Sequence, residues 1–150
     1  MANVSDVASY ILKKKGSMSA MKLQKLVYYS QAWHLVFDGE KLFDSEIQAW
    51  ANGPVVRALY AEHRGLFTVS DVHFQGSGDN LTESETLTID AVLDAYADMG
   101  ASHLSNLTHS ELPWLEARQG VPDGARSATP IDPATMMEFY QQQLDASSTS

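Results

Sequence analysis

The chain has 150 residues, a net charge of −9 and no cysteine. This length suits one folded domain with one hydrophobic core, and the missing cysteines exclude disulfides, thiolate metal ligands and a cysteine nucleophile. No apolar run reaches the roughly 18 positions of a membrane helix. The first residues, Met1–Asp6, lack the features of a signal peptide. We therefore expect a cytoplasmic protein without a membrane partner.

The charge is unevenly distributed along the chain. Residues 1–70 hold eight Lys and Arg against six Asp and Glu, whereas residues 71–150 hold two against thirteen. A nucleic-acid-binding protein normally presents a basic face, so we expect no direct binding of nucleic acid. Two interpretations of the acidic half remain open: solubility alone, or a surface that steers a basic partner.

The first two predicted elements are helices. The apolar positions of the first recur at steps of three and four and share one face: Val4, Val7, Ala8, Ile11 and Leu12. Lys13–Lys15 and Gly16 are typical of its C-terminal end. The second helix should begin after Ser19 and run to about Phe37. It is apolar around most of its circumference, which predicts a central, buried helix.

The middle of the chain predicts a short extended segment and then a third helix. Residues 43–51 lack helical periodicity and are predicted to be extended. Asn52 and Gly53 indicate a turn, after which Pro54 suits the first position of a helix that ends near Arg64. Residues 66–80 are predicted to be a loop or a weak strand.

The second half predicts four more helices. Thr82 and Glu85 have the spacing of a capping box, which opens a helix ending near Gly100. Shorter helices should follow from Ser102 and from Leu112. After a surface loop at 120–130, Asp132 and Pro133 should begin the last helix, and residues 146–150 should form a disordered tail.

Together these elements predict a mainly α fold. We expect a single compact domain over residues 1–145, with about six to seven helices and a short extended segment or small hairpin.

The sequence lacks a recognisable catalytic set. There is no serine elbow of the form Gly-x-Ser-x-Gly, no pair of histidines at metal-binding spacing and no complete phosphate-binding loop. We therefore predict no metal and no cofactor. The one candidate for acid–base chemistry is His109 with Glu111, close to Trp114. The alternative is a polar helix junction around a buried histidine.

A second candidate site follows the extended segment. It joins an aromatic residue, a turn and a predicted helix start, and two interpretations are open: a turn anchored by Trp50, or a docking corner with exposed amides. Aromatic anchors dominate the energetics of many interfaces. The candidate partner-binding residues are therefore Trp50, Asn52, Gly53, Pro54, Val55 and Tyr60.

Two blocks of sequence resemble the Panacea domain family, which includes SocA-like and phage-associated GepA-like proteins. The first block runs from Met21–Tyr29 through Leu42-Phe43 and Ile47–Trp50 to Tyr60, and the second is Leu107–Trp114 with Ala117, Arg118 and Gly120. The resemblance covers about residues 5–145. It implies structural roles for the motif residues Lys22, Leu23, Lys25, Leu26, Tyr28, His109, Glu111, Pro113 and Trp114.

The resemblance implies an antitoxin of a bacterial or prophage-associated toxin–antitoxin system. Members of the family neutralise unrelated toxins, often inhibitors of translation or growth, by direct protein–protein binding. The implied partner is thus a cognate protein toxin, and no catalytic residues carry over. The alternative is an adaptor that delivers the toxin to a ClpXP-type protease. A small enzyme using His109 and Glu111 is the third hypothesis.

Overall fold

The computed structural model describes residues 1–148 and is dominated by helices. Seven helices are found in this range: α1 Val4–Lys15, α2 Ala20–Asp38, α3 Arg57–His63, α4 Glu83–Tyr96, α5 Ala101–His109, α6 Leu112–Ala117 and α7 Pro133–Ser148. The four short strands are β1 Met18–Ser19, β2 Ile47–Trp50, β3 Gly53–Val56 and β4 Thr68–Val69. The predicted mainly α fold with a small hairpin is confirmed.

Helix α2 lies at the centre of the domain, as predicted. Ser19 caps its start, since its Oγ accepts a hydrogen bond from the Lys22 amide at 3.1 Å. Gly39 ends the helix in the left-handed conformation. Helices α4, α5 and α7 and strand β3 all pack against it. Its apolar residues reach the surface near both ends, where Met21 is 40% and Phe37 47% exposed.

The four strands form two antiparallel pairs. β2 pairs with β3 from Ile47 opposite Val56 to Trp50 opposite Gly53, and β1 pairs with β4. The β1–β4 pair confirms the predicted weak strand within 66–80. It also places the loop before β4 next to the start of α2.

The predicted helix start at Pro54 is wrong. Pro54 lies within β3, and α3 begins three residues later at Arg57. The hairpin tolerates the proline because its cross-strand neighbour, Ala49, directs its own amide away, to the Thr129 carbonyl at 2.9 Å. The missing amide of Pro54 therefore costs no hydrogen bond between the two strands.

The helix signals of the second half are confirmed. Thr82 and Glu85 form the capping box, with N–H donors at 2.8 and 3.3 Å from the reciprocal side-chain oxygens. Asp132 Oδ1 accepts from the Ala134 amide at 2.9 Å, with Pro133 as the first residue of α7. Of the tail predicted at 146–150, residues 146–148 instead extend α7, and residues 149–150 lie outside the described range.

Among residues 1–148, no helix has both the length and the apolar character needed to cross a membrane.

Candidate functional site

The β2–β3 hairpin is held from one side by helix α2. Gln24 acts as a clamp: its Oε1 accepts from the Val56 amide at 2.9 Å, and its Nε2 donates to the Val56 carbonyl at 3.3 Å. One position further along α2, Lys25 Nζ donates to the Pro54 carbonyl at 3.3 Å. The first sequence block thus fixes the backbone of β3.

The second sequence block holds the same hairpin from the other side. Trp114 Nε1 donates to the Trp50 carbonyl at 2.9 Å, and Arg118 Nη1 donates to the Ala49 carbonyl at 3.0 Å. Ser105 on α5 donates to the Asn52 carbonyl. Two blocks that are far apart in sequence therefore meet at one structural feature, which explains why they occur together.

The other motif residues of α2 belong mainly to the core. Leu23, Leu26 and Tyr28 are at most 1% exposed, whereas Lys22 Nζ donates to the Ala97 carbonyl after α4. In the second block, Pro113 is buried in the first turn of α6. In this structure these side chains therefore pack in the core or hold neighbouring backbone.

Gly53 must be a glycine for two reasons. Its φ of 121° is unfavourable for residues with a side chain. In addition, a Cβ at this position would lie 2.5 Å from Lys25 Cε and 3.1 Å from Thr108 Oγ1. Gly53 and Pro54 are both buried, so they shape the hairpin from within.

An open groove of about 1020 Å³ lies beside the hairpin. Its walls come from the start of α2, the hairpin, α3 and the loops around residues 66 and 127. Large apolar side chains form much of the lining: Met21, Trp50, Val55, Tyr60, Leu66 and Phe67. Phe67 is 83% exposed, and the rings of Trp50 and Tyr60 meet edge to face at 5.0 Å.

Four of the six predicted partner-binding residues line this groove: Trp50, Asn52, Val55 and Tyr60. Three further groove residues, Met21, Leu66 and Phe67, were not among the predicted partner-binding residues. They reach the groove because β1 pairs with β4 and because the Ala20 amide donates to the Phe67 carbonyl at 2.8 Å. This pairing joins segments about 50 residues apart, which no local pattern reveals.

The charge of the groove is opposite to that of the whole protein. Its cationic residues are Lys25, Arg57 and Arg126, and none of the described residues that line it is acidic. The protein as a whole carries −9. The groove is therefore a local basic site on an acidic molecule.

Lys25 is the unusual member of the groove because it is only 1% exposed. Burial lowers the pKa of its ammonium group to about 8. Its Nζ has three donors, yet the described residues supply one hydrogen bond, to Pro54. No ion pair joins it to any described acidic residue. A cation of this kind is costly to bury without a counter-charge.

Glu111 has a different role, as the centre of a tyrosine cluster. Its Oε1 accepts from the Tyr29 hydroxyl at 2.7 Å and the Tyr140 hydroxyl at 2.8 Å. The Tyr140 and Tyr28 hydroxyls are 3.0 Å apart. Burial raises the pKa of the Glu111 carboxyl, and the two tyrosine donors partly oppose that shift. The cluster joins α2, α7 and the α5–α6 junction.

His109 and Glu111 do not form the hydrogen-bonded pair that catalysis would require. The His109 ring stacks on Trp114 with centroids 4.1 Å apart and planes at 16°. Burial lowers the pKa of His109, and the nearby Lys25 and Arg118 add to this shift. The hydrogen bonds of the described residues include none between His109 and Glu111. Nor do these residues contain a cluster of acidic and histidine side chains suited to a metal ion.

These features define a helical domain that presents an anchored hairpin and an aromatic, basic groove. The family model described as "Antitoxin SocA-like, Panacea domain" matches residues 23–115, more than half of the chain. The chain belongs to this family, which confirms the family resemblance predicted from the two sequence blocks. No curated protein and no solved structure matches it. Membership of an antitoxin family implies a protein partner.

Proposed function

We propose that the protein is a cytoplasmic antitoxin that neutralises a cognate toxin by binding it directly in the groove beside the β2–β3 hairpin. Family membership supports the antitoxin role. The proposed binding site is supported by the groove itself, in which apolar side chains are open to solvent around one rigid hairpin.

The groove has the composition of an interface centre. Trp50, Tyr60 and Phe67 are of the kind that supplies most of the binding energy in protein complexes. Burying exposed apolar surface contributes about 25 cal/mol per Å², and Phe67, at 83% exposed, has most of its surface left to bury.

The hairpin is also organised before a partner arrives. Its turn and strands are fixed through main-chain carbonyls by Ser105, Trp114 and Arg118, and by Gln24 from α2. A partner that docks here pays little for ordering the backbone.

Co-expression with the product of the neighbouring gene tests the proposal. We expect that product to arrest growth alone, the present protein to restore growth, and the two to co-purify as a complex. A harmless neighbour product, or no complex between the two purified proteins, contradicts the proposed function.

Two exposed apolar residues make a matched test of the binding site. Phe67→Ala removes an aromatic ring from the groove, whereas Val72→Ala truncates a side chain that is 81% exposed and does not line it. We expect Phe67→Ala to weaken toxin affinity at least about tenfold, the cost of a modest hot spot, and Val72→Ala to leave it unchanged. Equal affinities would place the toxin contact elsewhere.

A host that lacks the ClpXP-type protease separates direct neutralisation from delivery to that protease. Direct binding predicts that growth is still restored and that pulse-chase labelling shows the same toxin lifetime with and without the antitoxin. Loss of rescue in that host, together with a longer toxin lifetime, would favour the adaptor.

A further inference from the structure

We infer that the groove recognises an acidic segment of the partner, in which an Asp or Glu side chain lies next to a large apolar residue. This inference rests on the proposed function and specifies the chemistry of the toxin surface. It differs from one of the two interpretations that the sequence left open, in which the acidic half of the chain steers a basic partner.

The floor of the groove supplies a fixed positive charge. Lys25 is buried there and donates one hydrogen bond, to the Pro54 carbonyl at 3.3 Å. The described residues offer no acidic group to its two remaining donors. Buried ions are normally paired, so the arrangement is electrostatically incomplete until an anion approaches.

The rim supplies two more cations in exposed positions. Arg57 is the first residue of α3. Arg126 lies in the loop before residues 129–131, which form hydrogen bonds with β2. Neither forms an ion pair with a described residue. Their guanidinium groups remain available for a bidentate bond to a carboxylate.

The remaining walls dictate what accompanies the carboxylate. The same groove is lined by the rings of Trp50 and Tyr60, which contact each other, and by Phe67. A purely polar acidic segment would leave these rings uncovered, and a purely apolar one would bury three cations without compensation. An acidic residue beside a large apolar residue satisfies both requirements.

Selection from a randomised dodecapeptide library displayed on phage, with the full chain as bait, tests the inference. We expect enriched peptides to carry Asp or Glu beside an aromatic or large aliphatic residue. In resynthesised peptides, Glu→Gln or Asp→Asn should weaken binding about tenfold, the loss expected for one charge-assisted hydrogen bond. Affinity should fall as salt is raised.

Paired charge variants provide the control. Arg57→Gln with Arg126→Gln should weaken peptide binding at least about tenfold. Lys13→Gln with Lys15→Gln changes the net charge equally in the exposed last turn of α1, and should leave binding unchanged. Thermal melts of both variants check that the fold is intact.

Three results would overturn the inference: no enriched peptides, enriched peptides without acidic residues, or equal binding by the two double variants. The toxin assay keeps this separate from the proposed function. If Phe67→Ala abolishes neutralisation but the arginine variant retains it, the charge inference fails and the proposed function stands. If no toxin complex forms at all, the proposed function fails whatever the peptides show.

Discussion

Replacing Lys25 by methionine should make the protein more stable at neutral pH and less able to bind its partner. Methionine keeps a long, unbranched side chain at a position that is 1% exposed, and it removes an ammonium group that has no acidic partner among the described residues. Exchange of a buried charge for an apolar group of similar shape is often neutral or stabilising.

The magnitude follows from the pKa of Lys25. Lowering it from 10.5 to about 8 corresponds to about 3 kcal/mol against the charged form in the folded state. The Met variant escapes this cost but loses the bond to the Pro54 carbonyl, worth about 1 kcal/mol. The net gain at pH 7 is therefore about 2 kcal/mol, or a melting temperature higher by about 4–8 °C.

The pH dependence carries the sharper test. Below pH 8 the lysine is protonated in both the folded and the unfolded state, so the full cost is present. Between pH 8 and 10.5 the unfolded state binds more protons, and the stability contributed by this group rises with pH. Above 10.5 it is neutral in both states and the cost is gone. The advantage of Lys25→Met should therefore shrink through this window and reverse.

Urea denaturation of wild type and Lys25→Met at pH 7, 8, 9 and 10 measures this difference. The comparison cancels the ionisation of tyrosines, whose pKa values are raised in both proteins. A Met variant that is less stable at pH 7, by an amount that does not change with pH, would refute the reasoning. It would mean that the ammonium group is well solvated or paired in the folded protein.

Three further substitutions test the anchoring of the hairpin and the tyrosine cluster. Gly53→Ala should lower the free energy of unfolding, measured by urea denaturation, by about 3 kcal/mol because it combines an unfavourable φ with a clash against Lys25. The control Gly124→Ala, with φ 78° and open space around the glycine, should lower it by about 1 kcal/mol. Equal losses in the two variants would contradict the clash. Tyr140→Phe should lower the free energy of unfolding by about 1–2 kcal/mol because Glu111 loses a donor, and an unchanged denaturation midpoint would argue against that bond. Because the pKa of the Glu111 carboxyl is raised on folding, this group makes the protein less stable as the pH rises above 4.5. Glu111→Gln should therefore flatten the dependence of the free energy of unfolding on pH in that range. A wild type whose free energy of unfolding is already independent of pH there would contradict the raised pKa.

Local signals in the sequence were enough to predict most of the helices. The capping box at Thr82 and the proline after Asp132 act over three or four residues, so the helix starts that they mark can be predicted without knowledge of the tertiary structure. The same holds for the apolar face of α1, whose five predicted positions are all buried.

Signals that depend on distant partners were misread or invisible. Proline suits the first position of a helix, and it also suits a strand position whose amide is not needed for a hydrogen bond to the next strand. Only the pairing of Pro54 with Ala49 shows that Pro54 is of the second kind. Glu111 was considered with His109, two residues away, but its hydrogen bonds go to Tyr29 and Tyr140, which come from other helices.

The candidate site was predicted only in part, because some of its residues come together only in the folded chain. The aromatic residues Trp50 and Tyr60 stand in one continuous stretch and could be singled out from sequence. Phe67 and Arg126 reach the groove only through chain folding, and the basic character of the groove is hidden in a strongly acidic composition. Net charge describes the whole surface and does not predict the charge of a cleft.

The way the hairpin is anchored bears on how such a domain can serve different partners. Ala49, Trp50, Asn52 and Pro54 are each held through their carbonyl oxygens. A main-chain anchor does not depend on the side chain of the residue it holds, so the outward-facing side chains at Trp50 and Asn52 can change without releasing the hairpin. Gly53 is the exception, since its lack of a side chain makes room for Lys25. On the proposed function, the scaffold fixes the backbone of the groove and the charge at its floor, and the surface residues are free to set specificity.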